Sequence, residues 1–230
     1  MSNHLAVSEQ NQFEEPGHSN KPSQPPFLRV LANIFSYVFH PLFVPVYIVA
    51  FLVYIQPYFY AGFSAWDKQL VVLQAVLMYT FFPLITVLLL KAVKFIDSIF
   101  LKTQRDRIIP YIVCGIWYFW AWYVRHNLPD TPHELVYFSL AIFIASSIGL
   151  IANIYMKVSM HAISMGVAAT FLMLMGFSQD ISFTVYISVS LIITGLVCTS
   201  RFIVSDHTQR EVYVGLFIGV ASQLLGYWFA

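Results

Sequence analysis

Uninterrupted apolar runs such as "LVVLQAVLMYTFFPLITVLLL", residues 70–90, limit this chain more than any other feature. A run of about twenty residues is the length an α-helix needs to cross a hydrocarbon core of about 30 Å. The run does not alternate apolar with polar residues, as a lipid-facing barrel strand would, so helical spans are expected. Seven such runs fall near residues 37–55, 69–90, 109–124, 135–155, 161–177, 182–199 and 211–229. The third and fifth are short, which leaves six spans as an alternative count. With 59% hydrophobic and 10% charged residues, the chain has too little polar surface to coat a soluble globule. The expected fold is therefore an all-α, polytopic membrane bundle of about six or seven helices over residues 31–230.

Residues 1–30 read as a disordered polar tail. Their opening "MSNHLAVSEQNQFEEPGHSNKPSQPP" contains no apolar core of the kind a secretory signal requires. Pro41, Pro45 and Pro83 sit within runs, where membrane helices tolerate proline as a kink. Cys114 and Cys198 also lie inside runs, so neither a disulfide framework nor a metal cluster is expected.

Seven spans put the loops near 91–108, 156–160 and 200–210 on one face with the N-terminal tail. That face carries ten of the twelve Lys and Arg residues, and only Lys68 and Arg125 lie opposite. By the positive-inside rule the loaded face is cytoplasmic, in a multi-pass protein expected in the inner membrane of a bacterium. Trp66, Trp120, Trp122 and Trp228 fall near span ends on the other face, where indoles anchor at the interface. The net charge of +1 gives no pointer to nucleic acid. The bilayer is the expected partner, and oligomeric state is open.

The three same-face loops read "KTQRDRIIP", "KVSMHAIS" and "SRFIVSDHTQRE". Ionisable groups at a membrane boundary are costly to desolvate and suggest function. His207 and Glu211 are four residues apart and would share a helical face if the last helix began near Ser205. A carboxylate there fixes the imidazole tautomer and leaves the other ring nitrogen as a base or nucleophile. Arg201 offers a planar fork of donors suited to phosphate oxygens. Taken singly, His207 reads as an interfacial histidine, and Arg105 and Arg107 as charges facing anionic lipid heads.

Ser200-Arg201, five residues, His207, three residues and Glu211 resemble the third signature of the phosphatidic acid phosphatase type 2 superfamily. Lys102 and Pro110 match the ends of that family's first signature, and Ser159 and His161 match the serine and histidine of its second. Seven of eleven defining positions agree, in the same order, from Lys102 to the last helix. Ile109, Val158, Met160 and Glu211 stand where the family has arginine, proline, glycine and aspartate.

The resemblance implies a metal-independent hydrolase with no cofactor, acting on a lipid monophosphate or diphosphate. In it His207 would form a phosphohistidine, Glu211 would orient His207, and His161 would serve as general acid and base. Lys102, Ser159, Arg201 and Arg107 would hold the phosphate oxygens. Two rival readings stay open. One is a relative that binds or transfers a lipid phosphate without hydrolysing it, and the other is a transporter or structural membrane protein.

Overall fold

The computed structural model describes residues 24–96, 104–178, 182–204 and 207–230, which form helices and their connections with no strand among them. The chain opens with α1, Pro26–Val38, where Pro26 takes the first turn with its missing N–H at no cost. Residues 26–30, expected to belong to the tail, are thus its first turn. Residues 1–23 of the expected tail lie outside the described residues. Helix α1 buries Ala32 and Ser36, whereas Phe27, Val30, Ile34 and Tyr37 are more than half exposed.

The first expected span, 37–55, is not one helix. The chain turns at His40-Pro41 and resumes as α2, Val44–Ala50, which runs on as a π-helical turn, Phe51–Ile55. Proline disfavours a helical conformation in the residue before it, and here the Leu42 N–H is diverted to His40 Nδ1 at 3.3 Å. Residues 44–55 rise only about 18 Å as helix, short of a bilayer crossing.

Next come α3, Ala65–Val76, a π turn at Leu77–Phe81, and α4, Phe82–Ala92, which join end to end. Pro83 has no N–H for the carbonyl four residues earlier, and the ladder widens into a π turn just before it. The remaining helices are α5, Gln104–Asn127; α6, His133–Tyr155; α7, Met160–Ser178; α8, Thr184–Val204; and α9, Gln209–Phe229.

Among the described residues, five helices are long and apolar enough to cross a membrane: Ala65–Ala92, α6, α7, α8 and α9. Helix α5, which contains the third expected run, has the length but carries Arg107 in its first turns and Arg125 in its last. The apolar stretches of α6 and α7 are each 61% buried, against 17% for Ala65–Ala92 and 22% for α8. Helices α6 and α7, with α9 packed against both, form the centre, and Ala65–Ala92 and α8 turn their apolar faces outward.

The centre is tight because of two glycines. A side chain on Gly166 of α7 would strike the Leu216 carbonyl, and one on Gly219 of α9 would strike the Ile163 carbonyl. Small residues at such a crossing let two helix backbones touch. The close approach brings the starts of α7 and α9 together, where the Ser159 N–H donates to the Glu211 carbonyl at 3.2 Å.

Candidate functional site

Three of the bundle's connections and the start of α5 converge at the end where α7 and α9 begin. Thr208-Gln209-Arg210-Glu211 is a capping box: the Thr208 hydroxyl accepts from the Glu211 N–H at 3.3 Å, and the Thr208 N–H donates to Glu211 Oε2 at 3.0 Å. Because Thr208 caps the helix, α9 begins at Gln209 rather than near Ser205. His207 therefore precedes the helix, and the expected shared helical face does not exist.

The two residues still meet. His207 Nδ1 lies 2.9 Å from the same Glu211 Oε2 that caps the helix. A carboxylate can only accept, so Nδ1 carries the proton and Nε2 keeps its lone pair. The imidazole is 4% exposed and the Glu211 side chain 16%. Burial holds His207 below the ordinary histidine range. The Glu211 hydrogen bond opposes that shift, and the charges of Arg107 and Arg201 add to it. Near neutral pH the ring is therefore uncharged.

Arg107, in the second turn of α5, is 6% exposed and donates through Nη1 to the Val158 carbonyl at 2.9 Å. This bond ties α5 to the loop before α7. Ser159 in that loop is fully buried, and its hydroxyl accepts from the Ala162 N–H at 3.4 Å as the cap of α7. Arg201, near the end of α8, donates through Nη1 to Ser36 Oγ at 3.0 Å. The Ser36 carbonyl lies 3.0 Å from His161 Nε2, which must donate there, leaving Nδ1 with the lone pair. His207 and Arg201 both lie within electrostatic range of His161.

Of the residues singled out from sequence, His207, Glu211, His161, Ser159, Arg201 and Arg107 share this one end. Lys102 lies outside the described residues. Two members of the cluster were not foreseen. Ser36 of α1 contacts both His161 and Arg201, and the His40 ring stands edge-on to His161 with centroids 5.4 Å apart. Burial pushes His40 down to about 4, with the Arg201 charge adding to the shift. The break in the first apolar run at His40-Pro41 was the sequence signal that could have drawn attention to both.

Two members of the cluster, Arg107 and His40, reach an apolar cavity of about 430 Å³. Arg107 and His40 line its polar end, and Leu84, Tyr111, Phe138 and Ile142 are among its walls. A cavity of this size, apolar with a few charged groups at one end, suits a ligand with a hydrocarbon body and an anionic head. Two guanidiniums, a neutral imidazole with a free lone pair and the N-terminal ends of α7 and α9 can together hold and attack a phosphate. Compared with protein-family models, curated proteins and solved structures, the chain matches none.

Proposed function

We propose that the chain is a membrane phosphatase that hydrolyses a lipid monophosphate or diphosphate through a phosphohistidine. The observation that carries this reading is the buried His207–Glu211 pair, within electrostatic range of Arg107 and Arg201, with Arg107 also lining an apolar cavity.

In the first step Nε2 of His207 attacks phosphorus while the bond to the lipid oxygen breaks. Arg107 and Arg201 balance the negative charge on the non-bridging oxygens, a role the family resemblance would extend to Lys102, and Ser159 stands at the same end, at the cap of α7. Glu211 holds the Nδ1 proton and stabilises the positive charge that the phosphorylated ring acquires. His161 takes up a proton at Nδ1 as the phosphate arrives and gives it to the departing lipid oxygen. In the second step His161 removes a proton from water, the water oxygen bonds to phosphorus, and the phosphorus–nitrogen bond breaks to restore His207.

The lipid tail stays in the apolar cavity or in the surrounding bilayer. Helix α5 supplies a sixth crossing, since its 24 residues rise about 36 Å. The partition of Lys and Arg supports a site on the cytoplasmic side, and the membrane we propose is the inner membrane of a bacterium.

A second reading, a protein that binds a lipid phosphate without cleaving it, is favoured by one contact pattern. Ser36 already engages both the general acid and one phosphate clamp, so α1 must yield for turnover. Phosphate release from purified protein, with prenyl phosphate, prenyl diphosphate and phosphatidic acid as substrates, separates the two. The phosphatase reading expects release from at least one substrate and none from His207→Ala. Saturable binding without release by wild type would favour the second reading.

A further inference from the structure

The opposite end of the bundle holds a second cavity, of about 640 Å³, whose lining is polar as well as apolar. Two buried polar side chains lie in its wall. Arg125, in the last turn of α5, is 5% exposed, and Tyr60, in the short 3₁₀ turn Pro57–Tyr60, is 1% exposed. Arg125 Nη1 donates to the Ala121 carbonyl of its own helix at 3.1 Å, and the guanidinium stacks 5.1 Å over the Tyr79 ring. A cation in a last helical turn is favoured there by the helix dipole. These contacts explain where Arg125 sits, but they leave Nη2 without a hydrogen-bond partner.

The Tyr60 hydroxyl is likewise buried and without a hydrogen-bond partner. Burial pushes its phenol up to about 12, with Arg125 opposing the shift and Glu134 adding to it, so it remains a donor near neutral pH. Among the described residues Arg125 makes no ion pair. A buried cation and a buried hydroxyl that line one cavity, each keeping an unused donor, call for an acceptor that carries charge. The rim has the opposite sign, since Asp67 and Asp130 line the same cavity and are exposed. A simple anion would meet donors at the floor and repulsion at the mouth, whereas an ammonium at the mouth would be attracted. The cavity also lies beside the first turns of two helices long and apolar enough to cross a membrane, with Leu70, Val71 and Leu135 in its wall.

We infer that this cavity binds a phosphodiester zwitterion of the ethanolamine kind, with its phosphate on Arg125 and Tyr60 and its ammonium between Asp67 and Asp130. The same chemistry is available from a free glycerophosphoethanolamine or from the head of a phosphatidylethanolamine. The inference does not depend on hydrolysis at His207.

The test uses the full chain in phosphatidylglycerol nanodiscs, titrated calorimetrically with glycerophosphoethanolamine and, separately, with dimethyl phosphate, which lacks the ammonium. A second arm measures thermal unfolding in discs with and without phosphatidylethanolamine. The expected result is saturable binding of the zwitterion that persists in His207→Ala. It weakens roughly tenfold or more in Arg125→Gln, and by a smaller factor in Tyr60→Phe, which removes only the hydroxyl. Asp130→Asn should weaken the zwitterion but not dimethyl phosphate. A free-ligand signal assigns a soluble ligand. Stabilisation by phosphatidylethanolamine alone, lost in the same variants, assigns a lipid head. Absence of both signals, or binding unchanged in both Arg125→Gln and Tyr60→Phe, overturns the inference.

Discussion

The two ends of the bundle handle buried charge in opposite ways. At the α7 and α9 starts, four described ionisable groups are held by other parts of the chain: His207 by Glu211, Arg107 by Val158, and Arg201 and His161 by Ser36. At the far end Arg125 rests on a ring face and its own helix, with a donor left over. The first arrangement fixes ring tautomers and side-chain directions before any ligand arrives, as chemistry requires. The second rests a cation on a ring face beside a cavity and suits binding.

The largest effect should come from breaking the crossing that assembles the first end. Gly219→Leu drives a side chain into the Ile163 carbonyl and forces α7 from α9. A loss of about 3 kcal/mol or more is expected, read as a lowered unfolding midpoint in detergent, with activity lost alongside. A midpoint unchanged from wild type would mean that the two helix starts are joined by something other than close packing.

Next in size is the charge on Glu211. Glutamine can keep the capping box with Thr208, so Glu211→Gln should retain the α9 start and the unfolding midpoint while losing activity by about 100-fold. Glu211→Asp should keep a larger share of activity than the glutamine variant. Equal kcat for Gln and wild type would leave Glu211 only its cap.

The pH dependence is a finer probe. His207 and His40 are both held below the ordinary value near 6.5, His40 at about 4, so the folded chain stays unprotonated there where the unfolded chain binds protons. Stability is then full above about pH 6.5 and falls as pH drops from 6.5 toward 4. Activity that needs neutral His207 should persist below pH 6.5 and fail on its acid side. Arg107→Gln removes one cation that lowers His207, so the midpoint of that acid limb should move upward, whatever the height of the profile. A limb fixed at the wild-type position would remove Arg107 from the neighbourhood of the nucleophile.

The smallest effect is expected at Ser36. Ser36→Ala deletes the acceptor for Arg201 but keeps the backbone carbonyl that faces His161. Losing one such bond is worth about 1 kcal/mol, so KM should fall up to about fivefold with kcat little changed. A rise in KM would make Ser36 part of the ligand site rather than its competitor.

Much of the architecture can be read from apolar periodicity, because a crossing helix must bury or face lipid along some twenty residues whatever its neighbours do. The same signal misleads at 37–55, where Pro41 splits one apolar run into two short helices and exposes His40 to the site. Arg201, His207 and Glu211 stand out by spacing, yet the reason they meet is local. Thr208 and Glu211 form a recognisable capping box, which moves His207 off the helix while keeping it within 2.9 Å of the carboxylate. The contacts of Ser36 with His161 and Arg201 span 125 and 165 residues, and no local pattern announces them. Arg125 reads as a plain interfacial cation until the cavity and the unused Tyr60 hydroxyl appear beside it.

The central claim is that His207 is the nucleophile and His161 the acid and base. It is tested most directly by brief exposure of the purified chain to a radiolabelled activated phosphate ester whose leaving group needs no protonation, followed by an alkaline gel that preserves phosphohistidine. Wild type and His161→Ala should take up label, with His161→Ala retaining it for want of a base to activate water. His207→Ala should take up none. Label that survives His207→Ala would give the nucleophile's role to another residue and contradict the account.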